Sequence, residues 1–209
     1  MASLNLTQLA ALSATQVGAL STTGITGLSE TQIAALTITQ LSGLSQTQIG
    51  SLSTTDIATF TTSEIAALTT TQLGALVRMQ LRALSTAQIA ALSNSQLSSM
   101  SSTQISNLTI TEMASLTSTQ FSALSSSQFS GLTTYQLDAL SADEMAAITG
   151  VQLSGLTSTT MGVLGTTFLT GLATDQLESL TPYQIGYLTS TQIASLSAIQ
   201  QQAIQTALT

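Results

Sequence analysis

The sequence predicts an all-α solenoid of very short capped helices, one per eight-residue repeat. Three observations predict it. Leu recurs every eight residues, from Leu4, Leu12, Leu20 and Leu28 onward to residue 204, with only Phe60, Met100, Ile148 and Ile204 as variants. A second apolar residue follows five places later, from Leu9, Val17, Ile25 and Ile33 to Ile193, and no polar residue replaces it. Between the two stands Ser or Thr, then Gln three residues on, in most copies. About 25 copies run in register without insertion or deletion. Such regularity means that each repeat meets its neighbours in the same way. The organisation read from it is one repeat domain over 1–209, with regular octads over 4–196 and a C-terminal capping helix over 197–209.

Other local structures fit less well. In one continuous helix, eight residues at about 100° each would carry the apolar stripe around the axis by about 80° per repeat. A continuous strand would put octad positions one and six on opposite faces. Two large apolar residues in every octad are too many and too regular for a solvated coil. The chain must therefore bend within each repeat. A β-solenoid is the alternative, since Thr and Ile favour strands.

Each helical element can be justified along the octad. Position one, the Leu, precedes the helix and can staple onto position six. Position two is the N-cap: Ser13, Ser29, Thr37, Ser45, Thr69. Position five is N3 and holds Gln16, Gln32, Gln40, Gln48 and Gln72, or the acids Asp56, Glu64, Glu112 and Glu144. Ser/Thr-x-x-Gln/Glu is the capping box, in which each side chain bonds the other residue's amide. The single proline, Pro182, follows Thr181 and falls at N1, where helices tolerate it best. Glu30, Asp56, Glu64, Glu112, Asp143, Glu144 and Asp175 lie in the first helical turn, where the macrodipole favours negative charge. Positions seven and eight are mostly small and hold most of the glycines, which permits close packing and predicts a sharp C-terminal exit. Helices of about six residues are marginal alone, so stability must come from stacking. After Ser197 the register breaks with Gln201 at position six; Ile199, Ala203, Ile204 and Leu208 have the spacing of a longer final helix.

Composition narrows the chemistry. Only 5% of residues are charged, against about 25% in ordinary soluble domains. Two Arg against nine acids give a net charge of −7, and His and Cys are absent. The usual nucleophile–base pairs and zinc ligand sets have no residues to draw on. No catalytic, cofactor-binding or metal-binding residue is assigned, and no enzyme activity or cofactor is expected. Asp143 and Glu144 are adjacent and do not face one another on a helix. Two positive side chains make a poor nucleic-acid binder. Mean hydropathy is +0.40, yet no apolar run approaches the ~18 residues of a membrane span. The N-terminus lacks the pattern of a signal peptide, and its Met, with an atypical last repeat, suggests a complete chain.

A few residues stand out as candidate self-assembly contacts. Arg78 and Arg82 lie in the repeat where Val77 replaces the capping hydroxyl, and form the one basic spot. Tyr183 and Tyr187 share a helical face beside Pro182; Tyr135 is a further surface aromatic. Asn5-Leu-Thr and Asn107-Leu-Thr match glycosylation sequons, which in so Thr-rich a chain are near chance. Thr recurs at position four, as in Thr15, Thr31, Thr39, Thr47, Thr55, Thr71, Thr103 and Thr119. Aligned Thr resemble the flat arrays of ice-binding solenoids, which need strand spacing.

The octad, as in Leu36-Thr-Ile-Thr-Gln-Leu and Leu116-Thr-Ser-Thr-Gln-Phe, resembles the Leu-Thr-x-x-Gln-Ile repeats of large bacterial secreted or surface proteins. The resemblance implies an extracellular or cell-surface structural or adhesive role. The expected function is a non-enzymatic structural protein that self-assembles into a filament or surface layer, with itself as partner. The alternatives are an ice-binding solenoid and a peptide- or protein-binding scaffold.

Overall fold

The computed structural model describes residues 4–209. All regular structure among them is helical, and no strand occurs. The β-solenoid alternative is thereby set aside. The helices fall into two compact units, Met1–Met100 and Ser101–Thr209.

The first unit holds α1 (Leu6–Ala10), α2 (Ala14–Gly18), α3 (Thr22–Thr26), α4 (Glu30–Ile33), α5 (Ile38–Ser42), α6 (Gln46–Ser51), α7 (Thr54–Thr59), α8 (Thr62–Ala67), α9 (Thr70–Gly74), α10 (Arg78–Leu81), α11 (Thr86–Ala90) and α12 (Asn94–Ser99). The order of packing is regular: α2 on α5, α3 on α6, α4 on α7, and so on to α9 on α12. Each helix thus meets the third helix after it, so three octads complete one coil.

The second unit holds α13 (Ser102–Asn107), α14 (Ile110–Met113), α15 (Ser118–Ser122), α16 (Ser126–Ser130), α17 (Thr134–Asp138), α18 (Ala142–Ala147), α19 (Gly150–Leu153), α20 (Ser158–Val163), α21 (Thr166–Gly171), α22 (Thr174–Glu178), α23 (Pro182–Ile185), α24 (Ser190–Ser195) and α25 (Ala198–Ala207). The same three-helix coil runs through α13 on α16 to α16 on α19, then through α20 on α23 to α22 on α25. Between these stretches α21 reaches back to α17, four helices earlier, instead of to the third helix before it.

The local rules explain these elements. The N-cap residue is extended throughout; Ser13, for example, has φ −71° and ψ 162°. Its hydroxyl accepts from the N3 amide, as Thr37 does from Gln40 at 3.2 Å. Pro182 sits at the start of α23 as expected. The exit differs from expectation. No described residue has positive φ, so the glycines are not left-handed caps. Instead the position-one amide bonds the position-six carbonyl three residues back, as Leu12 does to Leu9 at 3.1 Å, and the extended Ser or Thr turns the corner. The glycines serve close approach: a Cβ on Gly43 would fall on the carbonyl of Ala14, and one on Gly155 on that of Ser126.

Position six forms the centre of each coil. Val17, Ile25, Ile49, Ile65, Leu97 and Leu153 are fully buried. Position one packs beside it, and Leu36, Leu44, Leu92 and Leu156 are at most 3% exposed. Each such side chain contributes about 1.5–3 kcal/mol through burial. Phe121 and Phe129 add an edge-to-face pair at position six, with ring centroids 6.1 Å apart.

Candidate functional site

The feature that repeats through the molecule is the position-five Gln, and it does more than cap. In the second coil, Gln40 Oε1 accepts from the amide of Thr37 at 3.0 Å and from its hydroxyl at 3.2 Å. Its Nε2 turns the other way and donates to the carbonyls of Leu9 at 2.8 Å and Leu12 at 2.9 Å. Those two carbonyls flank the corner between α1 and α2, one coil earlier. Both lone-pair directions and both amide hydrogens are used, which saturates the side chain.

The same bridge recurs at offsets of 31 and 28 residues. Gln72 bonds Leu41 and Leu44, Gln80 bonds Ile49 and Leu52, and Gln96 bonds Ile65 and Leu68. In the second unit, Gln136, Gln152, Gln176, Gln184 and Gln192 repeat it. These amides are buried, Gln152 to 1% exposure. A buried polar group left unpaired costs about 1–3 kcal/mol, so each bridge both joins coils and removes that penalty. Where the capping hydroxyl is missing, the bridge persists: Gln80 still accepts from the Val77 amide at 2.9 Å, and Gln176 from the Ala173 amide at 2.8 Å. This second role was missed by the local reading of position five as a cap. The signal for it was present, since a macrodipole favours acids at N3 while this position prefers Gln.

The acids at position five show what a carboxylate loses. Glu144 Oε2 accepts from the Ser141 amide and hydroxyl, both at 2.7 Å. Its Oε1 is buried with no partner. By the 31- and 28-residue offsets it belongs at the corner of Met113 and Leu116, whose carbonyls can only accept. Asp56, Glu64 and Glu112 cap in the same manner.

The bridge fails at α20 and α21. Thr160 takes position five of one octad, and the buried Phe168 that of the next. Gly165 supplies no capping side chain to α21. The Asp138 carboxylate fills the space where a Gly165 Cβ would stand, and its Oδ1 is buried without a partner. Here the coil spacing changes and a cleft of about 370 Å³ opens, lined by Leu140, Met145, Thr167, Leu172 and Gln176 among others.

The residues singled out from sequence lie on the surface. Arg78 opens α10 and Arg82 is its C-cap, both exposed. Tyr183 and Tyr187 come together as an edge-to-face pair, ring centroids 5.0 Å apart, with a hydroxyl–hydroxyl bond of 3.1 Å. Tyr187 donates that bond to the Tyr183 hydroxyl oxygen, and the bond, together with the charge of the neighbouring phenol, raises Tyr187 above its ordinary value. Tyr135 is 79% exposed. Asn5 of the first sequon is the N-cap of α1, its side chain bonded to the Gln8 amide at 2.9 Å. The position-four Thr residues are N2 positions of separate helices, without strand spacing. No group of three or more acids that could hold a metal occurs among the described residues. No described helix is long and apolar enough to cross a membrane.

Comparison with known families agrees with a repeat architecture. A model of the ALTTAQ repeat matches residues 79–110, a stretch four octads long. No curated protein matches the chain.

Proposed function

We propose that this chain is a non-enzymatic structural protein, a stackable scaffold that associates with copies of itself. The observation that carries this reading is the Gln bridge. The side chain that recurs most faithfully on the polar side of the octad is committed at one end to capping its own helix and at the other to joining that helix to the coil before. What remains outside is a Ser/Thr surface with 5% charge overall. Such a surface opposes close contact between copies with little electrostatic repulsion. Arg78, Arg82, Tyr183 and Tyr187 are the distinctive groups on it and the proposed lateral contacts.

The extracellular or cell-surface setting is part of the proposal and rests on the octad's resemblance to secreted repeat proteins. Immunolabelling of intact source cells tests it; labelling only after permeabilisation would contradict it. Electron microscopy of the purified chain over a concentration series tests assembly. Filaments or sheets are expected, and single particles at every concentration would overturn the reading.

A further inference from the structure

Glu144 places a carboxyl oxygen where its neighbours in the stack place a donor. Only 4% of the residue is exposed. Its Oε2 accepts from the Ser141 amide and hydroxyl, and its Oε1 is buried without a partner. The octads on either side show what belongs there. Gln136 donates to Ile105 and Leu108, and Gln152 donates to Phe121 and Leu124. The corner between those two pairs is that of Met113 and Leu116. The next helix after that corner is α15, and α18 packs on it. The Met113 carbonyl takes the Leu116 amide at 3.0 Å, and no described side chain donates to the carbonyl of Leu116.

A carboxylate against carbonyls is desolvated with nothing to offset the loss. No basic side chain can neutralise it. The sequence has no Lys or His, and its last Arg is Arg82, so the unit Ser101–Thr209 holds no basic side chain. Helices α15, α19 and α21 carry no titratable group. The other titratable groups on neighbouring elements are acids and one phenol. Asp143 precedes Glu144 on α18, while α17 carries Tyr135 and Asp138. Glu112 on α14 accepts from the Thr109 amide at 2.6 Å. Asp175 and Glu178 flank Gln176 on α22, which bonds the corner after α18. A proton is the compensation that remains, and it turns the carboxyl into a donor.

We infer that Glu144 is an acid-closed clasp: on taking up a proton, its Oε1 donates to the Met113–Leu116 corner and fastens α18 to the coil before. A carboxyl has one hydrogen where Gln has two, so it closes one of the two bonds. The bridging proton has its acceptor in the fold and loses it on unfolding. By linkage, the wild-type chain therefore gains stability relative to a Gln variant as pH falls, and loses it as pH rises. The scaffold tightens in acid at this junction and loosens toward neutral pH.

Urea unfolding of the full chain between about pH 7 and about pH 4, where carboxyl groups titrate, tests this on the wild type, Glu144→Gln and Glu144→Ala. At neutral pH the unfolding constant of Glu144→Gln should be about tenfold below that of the wild type. At the acid end the two should agree to within about threefold, because the wild type has gained its bond. The other acids protonate alike in all three chains and cancel in the ratio. Glu144→Ala keeps the Ser141 cap and offers no donor, so its ratio to Glu144→Gln should not change with pH. A ratio of wild type to Glu144→Gln that stays constant over the range would overturn the inference. So would a ratio of Glu144→Ala to Glu144→Gln that narrows by the same amount, because that change would come from other groups.

Discussion

Gln152 binds Phe121 across coils: its Nε2 donates to the Phe121 carbonyl at 2.9 Å, thirty-one residues earlier in the chain. It also donates to Leu124 at 3.0 Å, while its Oε1 accepts from Thr149 at 2.9 Å. One side chain therefore starts a helix and fastens that helix to the corner of the coil before. Gln152→Glu keeps the cap and removes the donors. It should destabilise the protein by about 2–4 kcal/mol, from two lost bonds and a carboxylate placed in a buried site. Urea unfolding measures this, and an unchanged midpoint would show the bridge to be ornamental.

Glu144→Gln is the reverse experiment. The wild-type carboxylate leaves Oε1 buried and unpartnered, where other repeats place a donor. Supplying that donor to Met113 and Leu116 should stabilise the protein by about 1–3 kcal/mol. A lower melting temperature than wild type would mean that the corner geometry is not shared by this repeat.

Glycines at the ends of different octads should divide by what lies opposite them. At Gly155 an added Cβ would meet the Ser126 carbonyl, which is backbone and cannot swing away. Gly155→Ala should cost about 1–3 kcal/mol through overpacking. At Gly74 the space is open, so Gly74→Ala should gain about 0.5–1 kcal/mol from helix propensity. Equal effects at the two sites, read by chemical denaturation, would contradict close packing between coils.

Asp138 and Gly165 should be strongly coupled. Gly165→Ser alone places a side chain on the Asp138 carboxylate and should destabilise by about 1–3 kcal/mol. Combined with Asp138→Ala, the new Ser becomes free to cap α21 and should recover about 1 kcal/mol. A double-mutant cycle with coupling near zero would remove this contact from the description.

Much of this fold can be read in the octad itself. Leu9, Val17 and Ile25 announce the centre of the coil by never varying in polarity. Ser13 with Gln16, and Thr181 with Pro182, announce helix starts. Those features are local, and local rules reach only a few residues. The offset from Gln152 to Phe121 spans a full coil, so the number of octads per coil, and hence the partner of every Nε2, lies beyond capping rules. The preference for Gln over Glu at an N3 position was the one trace of it, because a carboxylate suits the helix start but cannot give hydrogens to the coil behind. The break at Gly165 and Phe168 is visible as a departure from the octad, yet which corner it would disturb follows only from the stacking. The surface residues Arg78, Arg82, Tyr183 and Tyr187 were legible as exceptions, and the structure shows that the two Tyr meet each other.

Hydrogen exchange of the Gln side-chain amides, followed residue by residue by NMR, tests the coil-to-coil bridge most directly. The Nε2 hydrogens of Gln40, Gln72, Gln152 and Gln184 should exchange far more slowly than those of the exposed Gln202 and Gln205, because they open only when coils separate. Uniformly fast exchange at all of these positions would contradict the bridge and the stacking built on it.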